Sequence, residues 1–182
     1  MTTHLALLRG INVSGHNMIK MEALQKALEK IGFADVKTYI QTGNVFVSTN
    51  EQSAATVGFQ IRKEIFNAFG HEVPVVVIGK DDLLACFKNN PFLKESEVDT
   101  KKLYVAFVST VLSGDSIHDL KMSYIKPDEV NIDASRIFIK YAVSAGKTKL
   151  DQNYIEKRLN TTATIRNWNT VTNLLKIYEE NE

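Results

Sequence analysis

Twice along this chain the apolar residues change their spacing in the same order, and that repetition limits the folds open to it more than any other feature. A short apolar or alternating run reads as a strand, and a three-to-four spacing reads as a helix. Residues 4–9 are a short apolar run that ends at Gly10 and a polar loop from Asn12 to Asn17. Met21, Leu24, Leu28 and Ile31 then recur at helical spacing, and Gly32 follows as a stop. Residues 36–40 and 45–48 read as strands joined by Gln41-Thr42-Gly43-Asn44, where Gly43 and Asn44 meet a hairpin turn's need for positive φ. Ser53 opens a second helix, with Val57, Ile61, Ile65, Phe66 and Phe69 as its apolar positions and Gly70 as its stop. Residues 73–78 form a continuous apolar strand. Strand, helix, strand, strand, helix, strand is the order of the split βαβ, or ferredoxin-like, unit.

The order then returns. Residues 103–108 read as a strand, 115–122 as a short helix, and 129–132 with 137–143 as a hairpin. Residues 149–159 read as a helix with Leu150, Tyr154, Ile155 and Leu159 on one face, and 162–166 as a β-branched strand. A last helix over 170–179 turns Val171, Leu174, Leu175 and Tyr178 inward, capped by Asn169 or Thr170. Between the halves, residues 81–101 read as a helical connector. Asp81 or Asp82 caps it, Pro91 cannot continue it, and the charged run 94–102 is a solvated surface. The expected fold is α+β: two tandem ferredoxin-like (βαββαβ, alpha-beta plait) subdomains over 1–80 and 102–182, the second with a C-terminal helix.

Composition removes several function classes. A length of 182 residues with 44% hydrophobic residues supports one large core or two small ones and excludes a disordered chain. With 22 basic and 21 acidic residues the net charge is +1, so no global field draws the chain to nucleic acid or an anionic membrane. Cys86 is the one cysteine, so no intrachain disulfide can form. Its apolar setting in Leu-Leu-Ala-Cys-Phe reads as burial, and this usage suits a reducing compartment. The first residues lack a basic leader with a long apolar run, and no segment reaches the about 18 apolar residues of a membrane span. The expectation is a cytoplasmic chain with no membrane partner. His4, His16, His71 and His118 lack metal-ligand spacing, and Asp115, His118 and Asp119 share only a short surface helix. The sequence indicates no metal and names no cofactor.

Four polar clusters stand out together: Leu8-Arg9-Gly10-Ile11-Asn12-Val13, Tyr39-Ile40-Gln41-Thr42-Gly43-Asn44-Val45, Lys147-Thr148-Lys149-Leu150, and Thr164-Ile165-Arg166-Asn167-Trp168-Asn169-Thr170. Asn90-Pro91-Phe92 lies among them. In these the chain resembles, from about Leu5 to Leu175, the bacterial family known as domain of unknown function 1697. Ser14 stands where that family usually has glycine and Thr148 where it usually has serine. The resemblance implies two ferredoxin-like subdomains and no established activity. Function has to be argued from the residues.

Gly10-Ile11-Asn12-Val13-Ser14-Gly15 has the glycine spacing of a phosphate-binding loop, but His16 and Asn17 replace the lysine and hydroxyl that carry its charge chemistry. What remains is a loop of exposed N–H groups ahead of a helix, with Arg9 for charge. It reads either as an anion cradle or as a turn that needs glycine. Gln41 is not required by its hairpin, so its amide is free to read a ligand, whereas Asn44 has the turn as a rival explanation. Lys147 and Lys149 crowd a helix start where the dipole disfavours cations. Gly146-Lys147-Thr148 is not a triphosphatase loop, because Tyr141 stands where the first glycine belongs. Arg166 suits bidentate contact to a phosphate or carboxylate, Asn167 is a polar neighbour without an evident structural task, and Trp168 reads as a core anchor.

The first functional expectation is therefore a small anionic ligand, phosphorylated or nucleotide-like, held in a cleft between the subdomains. Its candidates are Arg9, Gly10, Asn12, Gln41, Asn44, Lys147, Lys149, Arg166 and Asn167. No residue is assigned a catalytic role, and whether the chain is an enzyme stays open. A weaker alternative is single-stranded nucleic acid stacked on open sheets through Phe46, Tyr104, Phe107, Phe138 and Tyr141. Another is homo-oligomerisation through exposed sheet faces. The sequence does not set the oligomeric state.

Overall fold

The computed structural model describes residues 1–13 and 15–180. Within them it has eight strands, seven α-helices and two four-stranded antiparallel sheets. The chain divides into two units, Met1–Lys80 and Asp81–Glu182.

The first unit runs β1 (Thr2–Leu8), α1 (Met21–Lys30), β2 (Ala34–Tyr39), β3 (Asn44–Thr49), α2 (Ala54–Phe69) and β4 (Val75–Ile78). Its sheet has the order β2-β3-β1-β4, with Leu5 opposite both Phe46 and Ile78. Two helices pack on one face. Leu24 and Leu28 of α1 and Val57, Ile61 and Ile65 of α2 bury against Ala6, Leu8, Val45 and Val47. The ends of α2 fall where the sequence places them. The Ser53 Oγ accepts the Thr56 N–H at 3.2 Å, and Gly70, at φ 72°, donates its N–H to the Phe66 carbonyl at 2.9 Å.

The second unit runs α3 (Lys80–Asn89), β5 (Leu103–Val108), α4 (Ser116–Asp119), α5 (Met122–Ile125), β6 (Glu129–Asp133), β7 (Arg136–Lys140), α6 (Gln152–Leu159), β8 (Ala163–Asn167) and α7 (Trp168–Glu180), with Lys80 at the boundary between units. Its sheet order is β6-β7-β5-β8. One face buries Ala106, Ile137, Ile139 and Ala163 against Leu120, Ile125, Leu150 and Ile155. The opposite face is covered as well, because α7 packs on β5 and β8, and the turn Pro91–Lys94 packs on β7.

Five sequence expectations need correction. Residues 81–101 are no simple connector: Arg136 Nη1 donates to Asp82 at 2.8 Å, Asn89 donates to Asp133 at 2.9 Å, and the Phe87 and Trp168 rings lie 4.8 Å apart. Nor is the charged run merely solvated, since Glu95 accepts from the Lys140 ammonium at 2.8 Å. The helix expected over 115–122 is two short helices, because Lys121 takes a φ of 46° between them. The expected helix at 149 starts at Gln152, where the Asp151 carboxylate accepts the Tyr154 N–H at 2.7 Å. The last helix starts at Trp168 and is capped by Asn167, whose Oδ1 accepts the Thr170 N–H at 2.8 Å. Among the described residues no helix is long and apolar enough to cross a membrane.

Candidate functional site

In the first unit, the loop after β1 and the β2–β3 hairpin are held together by amide side chains. Asn12 donates from Nδ2 to the carbonyls of Ile19 and Gln41, each at 2.9 Å, and accepts the Ile19 N–H at 2.8 Å. Its φ of 53° is tolerated because asparagine visits the left-handed region more readily than most residues. Asn17 closes the same loop by donating to the Gly10 carbonyl at 3.0 Å. Asn44 is fully buried and donates to the Tyr39 carbonyl at 3.0 Å. It is not among the positive-φ residues. Ile40, at φ 51°, and Gly43, at φ 83°, carry the turn instead. Asn12 and Asn44 are thus clasps whose amides are already engaged. Ser14, in the middle of the loop, lies outside the described residues.

The loop does not lead straight into a helix as a phosphate loop does, since α1 begins only at Met21. The start of α1 nonetheless opens on a surface groove of about 510 Å³ lined by Asn12, Met18, Ile19, Lys20, Met21, Glu22 and Gln41. Lys20 occupies the capping position in extended conformation and makes no side-chain cap, so the first-turn N–H groups have no side-chain acceptor there. The Gln41 side chain is exposed at the rim. Glu22 would repel an anion, but the Lys26 ammonium bonds it at 2.6 Å and holds its carboxyl below the usual carboxylate range. Sequence reasoning found Gln41 and missed Lys20 and Met18. The available signal was a lysine where a helix of this kind usually carries Ser, Thr, Asp or Asn. Arg9 is half-buried at the exit of β1, its N–H donating to the Pro74 carbonyl at 3.0 Å.

In the second unit the lysine pair has a different setting from the one expected. Lys147 ends the turn Ala145–Lys147, and both lysines precede the Asp151 cap, so neither lies in the first turn of α6. The Lys149 ammonium sits 4.9 Å from the centroid of the Tyr124 ring, which stacks on Tyr154 at 5.1 Å. Between the lysines, the Thr148 hydroxyl donates to Asp128 Oδ2 and accepts the Leu150 N–H at 2.8 Å. Asp128 also accepts the Ala142 N–H at 2.9 Å. A serine hydroxyl at 148 would serve equally, which is why threonine is a mild departure there.

Arg166 is 8% exposed, and its Nη1 donates to Thr164 Oγ1 at 2.6 Å and to the Ile165 carbonyl at 3.1 Å. Burial lowers its pKa to about 10. Asn167, the next residue on the strand, has the capping task described above. The candidates therefore separate by role. Gly10, Asn12, Asn44 and Asn167 shape backbone, Lys147 and Lys149 stand on an exposed loop of the second unit, and Gln41 lines the groove of the first. Among the described residues no group of three or more His, Cys, Asp or Glu side chains is placed to hold a metal ion. Phe46, Phe107, Phe138 and Tyr141 are all buried, which removes them as a platform for stacked bases.

A sequence model of the family described as "Protein of unknown function (DUF1697)" matches residues 1–138. That span takes in the clusters at 8–13 and 39–45 and Asn90-Pro91-Phe92, while those at 147–150 and 164–170 lie beyond it. No curated protein matches the chain. Among solved structures, the conserved bacterial protein SP0830 from Streptococcus pneumoniae is similar over 97% of this chain and 98% of its own, with a TM-score of 0.73 and 22% identity. At that identity the likeness is one of fold.

Proposed function

The chain belongs to the DUF1697 family of proteins of unknown function, whose members lend it no activity, and we propose from its own residues that it binds a small anionic molecule in the groove at the start of α1. One observation carries this reading. A helix start without a side-chain cap opens on a groove that also presents the Lys20 ammonium and the Gln41 amide. Neither of those side chains has a hydrogen bond or ion pair among the described residues. First-turn N–H groups and the positive end of the helix dipole attract an anionic head group. Met18 and Met21 add a polarizable apolar wall on which a flat or apolar body can rest. At about 510 Å³ the groove falls in the range of small-molecule sites. A phosphorylated, nucleotide-like molecule has both parts.

Arg9, in the same unit, adds positive charge. We read each unit as ferredoxin-like, a reading supported by the strand orders β2-β3-β1-β4 and β6-β7-β5-β8. No catalytic role is assigned to any residue, since binding alone accounts for the groups present. The test is calorimetric titration of the whole chain with inorganic phosphate and with adenosine monophosphate. Lys20→Ala and Gln41→Ala should each weaken binding by about tenfold, the scale of one charge-assisted hydrogen bond to the anion. Affinities unchanged in both variants would reject the groove as the site.

A further inference from the structure

Helix α2 shows solvent a second face that its packing does not use. Val57, Ile61 and Ile65 turn into the core, yet Phe59 and Phe66 on the other side are 58% and 53% exposed. Seven residues apart, the two rings lie on one line along the helix, separated by about 10 Å. At 3.6 residues per turn, Arg62 falls to one side of that line and Lys63 to the other. Neither cation has a hydrogen bond or ion pair among the described residues. Together with Glu72, Val73 and Pro74 these residues line a groove of about 440 Å³.

We propose that this groove docks an acidic amphipathic helix of a partner protein. Two exposed rings at i and i+7 are the counterpart of a helix that lays anchors at i, i+3 or i+4, and i+7 into a groove. The paired cations beside the rings call for carboxylates flanking those anchors. A second copy of this chain fits poorly. An isologous contact lays a patch on itself, which would set Arg62 and Lys63 against their own equivalents. A phospholipid surface also fits poorly, because the groove is concave and two cations are few for an anionic membrane.

The test uses the full chain and two synthetic labelled peptides of about eleven residues, three helical turns. One places leucines at i, i+3 and i+7 with glutamates beside them, and its twin carries lysines in place of the glutamates. Fluorescence anisotropy should show the acidic peptide binding at least about tenfold more tightly, by an amount that shrinks as salt screens the charges. The double variant Arg62→Glu, Lys63→Glu should reverse the order of the two peptides. Phe66→Ala should weaken both while leaving the unfolding temperature unchanged, as expected of an exposed ring. Equal binding of the twins, or none for the acidic peptide, overturns the proposal. So does self-association with concentration that Phe66→Ala abolishes, or stronger retention on anionic phosphatidylserine vesicles than on the acidic peptide.

Discussion

The Leu8 N–H donates to the Gly43 carbonyl across 2.7 Å, and a Cβ placed on Gly43 would stand 2.6 Å from the Leu8 Cβ. The exit of β1 and the hairpin turn are therefore in contact at a point where only glycine fits. Two separate costs meet there: a left-handed φ of 83° and a clash with core atoms. Gly43→Ala should lose about 3 kcal/mol of stability, from about 1–2 kcal/mol of backbone cost and a similar packing cost. Gly10, at φ 67° with nothing near an added Cβ, separates the two effects, and Gly10→Ala should lose only about 1 kcal/mol. Urea unfolding of both variants measures the difference, and equal losses would contradict the steric argument.

Asn12→Asp keeps the size of the clasp and the acceptor for the Ile19 N–H, but turns a donor into a carboxylate facing two carbonyls. A loss of about 2 kcal/mol follows from two broken hydrogen bonds and the new repulsion. The Ile19 amide, buried inside the clasp, should exchange its hydrogen faster in the variant than in the parent chain. Unaltered exchange would mean that the loop is held by other contacts.

Asp133 supplies a pH signature. Desolvation pushes its carboxyl pKa upward, but the Asn89 amide and the Arg136 guanidinium together outweigh that and leave it below the ordinary value. A lowered folded pKa contributes stability above the unfolded value of about 3.9, and that contribution disappears as pH falls through the folded pKa. Asp133→Asn should therefore be less stable than the parent at neutral pH, with the gap closing below about pH 4. A gap that persists into acid would remove the ion pair as its cause.

Cys86 is fully buried on α3, its Sγ donates to the Asp82 carbonyl at 3.2 Å, and desolvation pushes its thiol up to about 12. The native chain should be inert to a disulfide reagent at pH 8 and react only when denatured, because the thiolate is the reacting species. Fast labelling of the folded chain would contradict this placement.

What the sequence made legible follows from how local each signal is. The helix over 54–69 could be read because its cap, apolar face and glycine stop are neighbours in sequence. The start of α7 could not, because Asn167 ends a strand and caps a helix at once, and no gap separates the two elements. Asn12 looked like a free polar residue because its partners, Ile19 and Gln41, lie 7 and 29 residues away. Lys149 looked like a misplaced cation at a helix start because neither the Asp151 cap nor the Tyr124 ring is marked by spacing. The groove at α1 was half visible: Gln41 had no turn to explain it, whereas Lys20 drew no notice among ordinary surface lysines.

The central claim, an anion seated at the start of α1, is tested most directly by amide chemical shifts during titration with inorganic phosphate and with adenosine monophosphate. The account predicts saturable shifts at the amides of Met21, Glu22 and Ala23 and at the side-chain amide of Gln41, abolished together by Lys20→Glu. Shifts that stay within noise at millimolar ligand, or that saturate elsewhere while these four do not move, would contradict it.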